Sequence, residues 1–540
     1  MKKIIGLLLI ILAISIGKVL GDIPKQNQTM PPKVRDAFKK ISAHYSQNNL
    51  AQIIRRRKEL RLKGVINQSN QRQYASFIKV PLLIGRYSNS ANSYTKQEIQ
   101  NKIFENNPDG TMVEYYQEVS AGQLNLSGQV DGWYNAPQEK AFYVGDNNGM
   151  DGGGARFVLD IVKKADPSID FSQFDYDGDG YVDCVIAIHT GGDGASGQNN
   201  IWSHNWSFSA ANYNYPYIMP QAEYTTNDPW PGHPGQYIKV NDYTIQPEEA
   251  YDQSLIDIGV FCHEFGHALG LPDLYDYDYS SNGVGNFCLM AGGCSGGDGI
   301  HPEKPVHMCA WAKYELGWIS PINITSDRID VQIPNIEQNP NSVYRIWKDG
   351  SIETQYFLLE NRQRLGFDKY LAGTGLFIWH IDEYILNNFQ SRGPNDDENH
   401  KGVDLEEADG RNDLDYFINF NSGDDGDPYP GSSLNRIFNG DSNPSSRDYN
   451  GNNTGVEISE IYQTGQLITA NLKIGKEGSN SLNPPQNLTA SVSGNRVLLN
   501  WQPPMNSSLS YLKSNFDDAH VFKVPARSYS TDQRDNINIG

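Results

Sequence analysis

The stretch Phe261 to Asp276, FCHEFGHALGLPDLYD, constrains this chain more than any other. It holds His263-Glu264-x-x-His267, then Gly270, then Asp273. On a helix, residues i and i+4 share a face, so the two imidazoles point the same way. Two ring nitrogens so placed can hold a Zn²⁺ ion at about 2.1 Å each. Glu264 follows the first of them and can reach a water at the metal without being a ligand, the place of a general base. Gly270 can take the left-handed conformation that ends a helix. The chain can then fold back and bring Asp273 in as a third ligand. Three protein ligands with one open position are the catalytic form of a zinc site. The bland alternative, an amphipathic helix with two hydrogen-bonded histidines, does not explain Gly270 and Asp273 at these spacings.

At its start the chain reads MKKIIGLLLIILAISIGKVLG, residues 1–21. Two lysines precede an apolar run of about a dozen residues and small Gly21 ends it, the pattern of a signal peptide cleaved near Gly21–Asp22. The run is too short for a spanning helix, and no later stretch is apolar and long enough. The expectation is a secreted, extracellular protein with no transmembrane segment. Eight N-x-S/T sequons agree with a glycoprotein: Asn27, Asn67, Asn125, Asn205, Asn323, Asn452, Asn487 and Asn506.

With 540 residues the chain has room for several domains and needs no zinc merely to staple a small fold. Its formal net charge of −20 excludes a nucleic-acid partner as the simple reading. The charge is uneven. Residues 22–73 hold 12 Lys/Arg against 3 Asp/Glu, net +9, whereas residues 74–540 hold 29 against 61, net −32. The basic, helix-patterned leader 22–73 is expected to be a propeptide that docks on the acidic body electrostatically. Its plausible cleavage regions are Arg55–Lys58 and the vicinity of Arg72. No cysteine precedes Cys184, so a leader thiolate cannot seal the zinc.

From Tyr74 the pattern changes. Phe77–Ile84 reads as a strand, Lys96–Phe104 and Thr111–Ser120 as helices, Leu124–Trp133 as a strand pair and Phe157–Ala165 as a helix. This order predicts a mixed sheet with helices packed on it, an α/β (α+β) catalytic domain over 74–320. Within it, DYDGDGYVD alternates Asp175, Asp177, Asp179 and Asp183 around glycines. Such a loop suits Ca²⁺, which takes six to eight hard oxygens, with Tyr181 offering its carbonyl. Without a cation the four carboxylates would repel. Met290 stands in a turn after the motif, and Pro305–Ile319 reads as a helix. His189 and His204 read as structural hydrogen-bonders. Five cysteines, Cys184, Cys262, Cys288, Cys294 and Cys309, allow up to two bridges; Cys288 with Cys294 is possible.

Residues 321–475 read as a β-rich part packed on the catalytic domain, with an acidic loop at Asp424–Pro430 that suits a second cation or an ordinary surface turn. Residues 476–483 are a Gly/Ser/Asn linker, and 484–540 open with two strands of a sandwich-like segment.

On these residues the chain resembles secreted metallopeptidases of the immune inhibitor A type over about 74–475. The resemblance rests on EYYQEVSAGQLNLSG (114–128), DYDGDGYVDCVIAIHTG (175–191), IWSHNW (201–206), HEFGHALGLPDLYD (263–276), the turn at Met290 and GLFIWHIDE (375–383). It implies a zymogen with a zincin-type, metzincin-like catalytic domain, one catalytic zinc, structural calcium and a β-rich C-terminal portion. It carries zinc ligation to His263, His267 and Asp273, the general base to Glu264 and a Met-turn to Met290. Gly292 stands where many metzincins have a tyrosine, which leaves the oxyanion-stabilising group open. Residues 484–504 are similar to the start of a fibronectin type III module. The function expected is zinc-dependent endopeptidase action on protein or peptide substrates. The alternatives are a secreted binding or matrix protein with a vestigial peptidase fold, or a zinc hydrolase acting on a non-peptide substrate.

Overall fold

The computed structural model describes residues 76–389, 393–416 and 421–475, and the backbone of three strands beyond them. The expected signal peptide (1–21), leader (22–73) and linker (476–483) lie outside the described residues.

The apolar run FIKVPLLI lies inside β1 (Ser76–Arg86). β1 pairs in parallel with β2 (Leu124–Asn135) along its length, and with β3 (Val185–His189) only from Leu82 onward. Pro81 thus has a neighbouring strand on one side only, where a missing backbone N–H costs little. β4 (His204–Ser207) forms the far edge. β5 (Tyr224–Pro229) and β6 (Tyr237–Val240) make a separate antiparallel ribbon, and β7 (Asp242–Pro247) lies between β3 and β4. The central sheet has the order β2-β1-β3-β7-β4, parallel except for β4. The expected strand pair at Leu124–Trp133 is therefore one strand. Its hydrogen-bonding partner is β1 throughout, not a second half of itself.

Alternation along the strands buries both faces of the sheet. Ile78, Val80, Leu82 and Ile84 of β1, with Ile186 and Ile188 of β3, pack with the helix Ile258–Ala268, which carries the HExxH motif. Leu83, Val185, Ala187 and Ile245 pack on the opposite face with the helix Gly153–Ala165. The helix expected at Lys96–Phe104 is α-helical at Lys96–Gln100, capped by a Thr95/Glu98 capping box. It widens to a π-turn at Asn101–Glu105.

The later strands share the core of the motif helix. β8 (Ile322–Asn323), β9 (Arg328–Ile333), β10 (Tyr344–Ile346), β11 (Gln355–Arg362), β12 (Gly375–Asp382) and β13 (Val403–Leu405) follow in order. β14 (Ile437–Phe438), β15 (Glu457–Thr464) and β16 (Leu467–Lys473) complete this part. They form two sheets, β13-β12-β11-β10-β8 and β14-β15-β16-β9. Ile333, Leu358, Trp379, Ile458 and Ile474 belong to the same buried cluster as Phe265 and Met290. The chain divides into two compact units, the second beginning at Lys476. In that second unit β17 (Gln486–Ser493), β18 (Arg496–Gln502) and β19 (Val521–Lys523) form an antiparallel sheet.

The helix expected over Pro305–Ile319 is reduced to Ala310–Glu315. The preceding backbone spends its groups on tertiary partners. Val306 N–H donates to Gly293 O at 2.9 Å, His307 N–H to Asp368 Oδ1 at 2.8 Å, and Val306 O accepts from Tyr115. All five cysteines are free and buried. Cys288 faces Cys309, whose N–H lies 3.2 Å from its sulfur, rather than Cys294. The sequon asparagine Asn205 is fully buried in β4, its amide donating to Tyr243 O, so it cannot carry a glycan; Asn323 and Asn452 are exposed. Among the described residues no helix is long and apolar enough to cross a membrane.

One buried ion pair ties the two halves of the first unit together. Arg362, on β11, grips Asp368 with two donors at 2.6 and 3.0 Å, both side chains fully buried. The same guanidinium donates to the carbonyl of Phe287 and, at 3.4 Å, to that of His307. Burial disfavours both charges, but their mutual attraction outweighs it, holding Asp368 below and Arg362 above its ordinary range. Arg362→Met would leave the Asp368 carboxylate buried without its partner. The expected loss is about 3–5 kcal/mol, read from urea denaturation. Adding Asp368→Leu should recover much of it. A single variant within about 0.5 kcal/mol of the parent would mean that the pair carries no weight.

Candidate metal centre

The helix Ile258–Ala268 is buried along its whole length. Its end is built by hydrogen bonds of a Schellman cap: Gly270 N–H to His267 O at 2.8 Å and Leu271 N–H to Gly266 O at 3.1 Å. Gly270 has φ of +101°, the left-handed region that a side chain disfavours. This reversal turns the chain back along the helix and delivers Asp273.

Three electron-pair donors then converge. His263 Nε2 lies 3.0 Å from Asp273 Oδ1, His267 Nε2 lies 3.1 Å from the same oxygen, and the two Nε2 atoms are 3.1 Å apart. The imidazole rings stand perpendicular, with centroids 4.7 Å apart. All three side chains are buried. In a tetrahedral zinc site with bonds of about 2.05 Å, ligand atoms lie about 3.3 Å apart, so this triangle fits such an ion.

The outer contacts fix the protons. His263 Nδ1 lies 2.8 Å from Leu289 O, and His267 Nδ1 lies 2.8 Å from Leu271 O. A carbonyl can only accept, so each Nδ1 carries a proton, and in its neutral form each ring turns a lone pair inward from Nε2. The second oxygen of Asp273 accepts from Tyr277 Oη at 2.8 Å. Burial lowers His267, against the pull of Asp273.

Glu264 sits next to His263 and is only 2% exposed. Its charge is felt at Tyr243 of β7, whose phenol is raised by burial and then by Glu264. Tyr243 donates to His204 Nε2 at 2.9 Å, and His204 Nδ1 donates to Trp202 O at 2.7 Å. Burial pushes His204 and His189 down to about 4, so both are neutral. Neither joins the metal-binding triangle.

Met290 lies under the motif helix. A Cβ added to Gly266 would come 2.5 Å from Met290 Sδ, so the glycine lets the turn approach. Met290 O accepts from Leu274 N–H at 2.7 Å, and the preceding carbonyl, Leu289 O, is the one that holds His263.

In the acidic loop, Asp175, Asp177 and Asp179 bring carboxylate oxygens within 4.8 Å of one another. Backbone N–H groups of Gly178, Asp179 and Gly180 converge on Asp175 at 2.8–3.1 Å. Asp183 stands outside that trio; it is buried and lies 3.4 Å from Tyr176 N. Burial, then repulsion from Asp177, pushes Asp183 up to about 8, and burial with Asp177 and Asp175 pushes Asp179 up to about 6. Tyr181 gives its N–H to Asp179 and its hydroxyl to Glu223, both at 2.8 Å. Two further acidic groups of this kind occur among the described residues: Asp276, Asp278 and Glu398, and Glu407, Asp409 and Asp427. Sequence reasoning missed the first. The second includes the flagged Asp427, but its partners Glu407 and Asp409 lie on another loop.

A mixed α/β fold with two histidines and an aspartate around a helical HExxH defines a candidate metal-dependent hydrolase. The comparisons with known proteins point the same way. Residues 86–319 match the family described as immune inhibitor A peptidase M6, catalytic domain, and this segment holds His263, Glu264, His267 and Asp273. Over 234 residues the chain is 32% identical to Immune inhibitor A of Bacillus thuringiensis subsp. alesti, covering 37% of this chain and 32% of that protein. It is also 32% identical over 231 residues to Pre-pro-metalloprotease PrtV of Vibrio cholerae serotype O1 (strain M66-2), covering 38% of this chain and 23% of that protein. The match thus spans about a third and about a quarter of these relatives.

Proposed function

We propose that this chain is a secreted zinc-dependent endopeptidase. The observation that carries the reading is the buried triangle of His263 Nε2, His267 Nε2 and Asp273 Oδ1, with Glu264 beside it. A zinc ion held there would act as a Lewis acid, acidifying water and polarising a carbonyl. The residues supply the rest. His263 and His267 are oriented by the Leu289 and Leu271 carbonyls, which accept from Nδ1 and leave Nε2 facing the position an ion would take. Asp273 adds one negative charge. Glu264 takes the proton of the attacking water and passes it to the leaving amine. The M6 family match and the name metalloprotease carried by the PrtV relative favour a peptide substrate. Glu264→Gln should keep zinc bound and reduce casein hydrolysis by at least about 10²–10⁴-fold. Metal analysis beside a rate assay checks it; near-normal turnover would remove Glu264 from the role.

The same reading includes structural calcium at Asp175, Asp177, Asp179, Asp183 and Tyr181. It is supported by the raised carboxyls of Asp179 and Asp183, which a divalent cation would relieve. Calcium should raise the melting temperature, and Asp177→Asn with Asp179→Asn should reduce that gain. Equal melting with calcium and with a calcium-selective chelator would exclude a structural ion.

The reading also makes the chain a zymogen. Residues 22–73, net +9, would dock on a body of net −32. The 22–73 segment added in trans should inhibit the leader-free enzyme, less so as salt rises, because exposed charges are screened over about 8 Å at physiological ionic strength. No inhibition at any salt concentration would end this account.

A further inference from the structure

The third ligand position differs from the other two in how it is held. His263 and His267 are oriented by carbonyls within the segment that matches the M6 family. Asp273 depends on a tyrosine and, through it, on chain far beyond that segment. Its carboxylate divides its oxygens: Oδ1 joins the two Nε2 atoms, and Oδ2 accepts from Tyr277 Oη at 2.8 Å. Both side chains are completely buried. A carboxylate on a short side chain can still rotate about its last bond, and the phenol donor removes that freedom.

Tyr277 is itself gripped by residues 393–403. Its backbone N–H donates to Asp396 Oδ1 at 2.9 Å. Its ring lies against Gly393, where an added Cβ would come 2.6 Å from the ring. Asn395, fully buried, donates its amide to Leu274 O at 2.8 Å and accepts from Val403 N–H at 3.1 Å. Leu274 N–H meanwhile is held by Met290 O at 2.7 Å. The stretch from Asp273 to Tyr277 is therefore clamped between the Met290 turn on one side and the strand β13 region on the other.

We propose that Tyr277 is the positioning residue for the third ligand, and that Asn395 and Asp396, from the second half of the chain, set its place. The proposal rests on the zinc reading of His263, His267 and Asp273. Partners of this kind are worth about 10–100-fold in metal affinity.

The test uses the full chain. Zinc affinity is measured by competition with a chromophoric chelator for the parent, Tyr277→Phe and Asn395→Asp, beside the visible spectrum of the cobalt-substituted proteins and melting of the metal-free proteins. Tyr277→Phe keeps the ring against Gly393 and loses only the donor. It should bind zinc about 10–100-fold more weakly, with an altered cobalt spectrum and a larger fall in melting temperature with zinc than without it. Asn395→Asp loses the donor to Leu274 O and should weaken zinc in the same direction. A parent that takes up no stoichiometric zinc would sink the zinc reading itself. A parent that binds zinc while Tyr277→Phe matches it in affinity and spectrum would overturn the positioning role. A Tyr277→Phe that melts lower without metal to the same extent as with it would reduce the tyrosine to a structural part. Weakening by Tyr277→Phe but not by Asn395→Asp would remove the second half of the chain from the proposal.

Discussion

Three lone pairs facing one another at 3.0–3.1 Å in a buried pocket are the constraint on which this structure turns. As lone pairs they repel one another, and a metal cation or a proton held among them removes that repulsion. Everything around the site serves to keep them there. The helix sets two of them by its periodicity, the glycine cap returns the third, and carbonyls behind each ring hold the Nδ1 protons outward.

That arrangement explains why the first unit cannot be divided into a site and a decoration. The sheet β2-β1-β3-β7-β4 supports the motif helix from one side. The later sheets support it from the other, through a shared apolar core and through Arg362. Its guanidinium reaches the carbonyl of Phe287, two residues before the carbonyl that orients His263. A buried guanidinium with a bidentate carboxylate is costly to desolvate and is retained where its remaining donors hold backbone in place.

The acidic character of the body has a similar logic. Carboxylates gather in loops where burial and mutual repulsion raise them, as at Asp179, Asp183, Glu407 and Asp427. Such groups are poor fillers of a core. They are economical only where cations or converging N–H groups offset the repulsion, and Asp175 already receives three of the latter.

The core of the candidate site was legible in the sequence because it is local. His263, Glu264, His267, Gly270 and Asp273 lie within one helix and its cap, where helical periodicity puts the two histidines on one face and a left-handed glycine turns the chain back toward them. The strand at Phe77–Ile84 was legible because its β-branched and apolar run is equally local. The rest was not. Leu289 O lies 26 residues from His263, Asn395 lies 121 from Leu274, and Asp396 lies 119 from Tyr277. The single strand at Leu124–Asn135 and the shortened helix at Ala310–Glu315 depend on β1 and on Asp368, which no local pattern names. Composition and spacing determine which side chains share a face of one element. Which carbonyl, carboxylate or phenol stands opposite that face is decided only when distant elements pack, because the hydrogen bond that orients a ligand belongs to two parts of the chain at once.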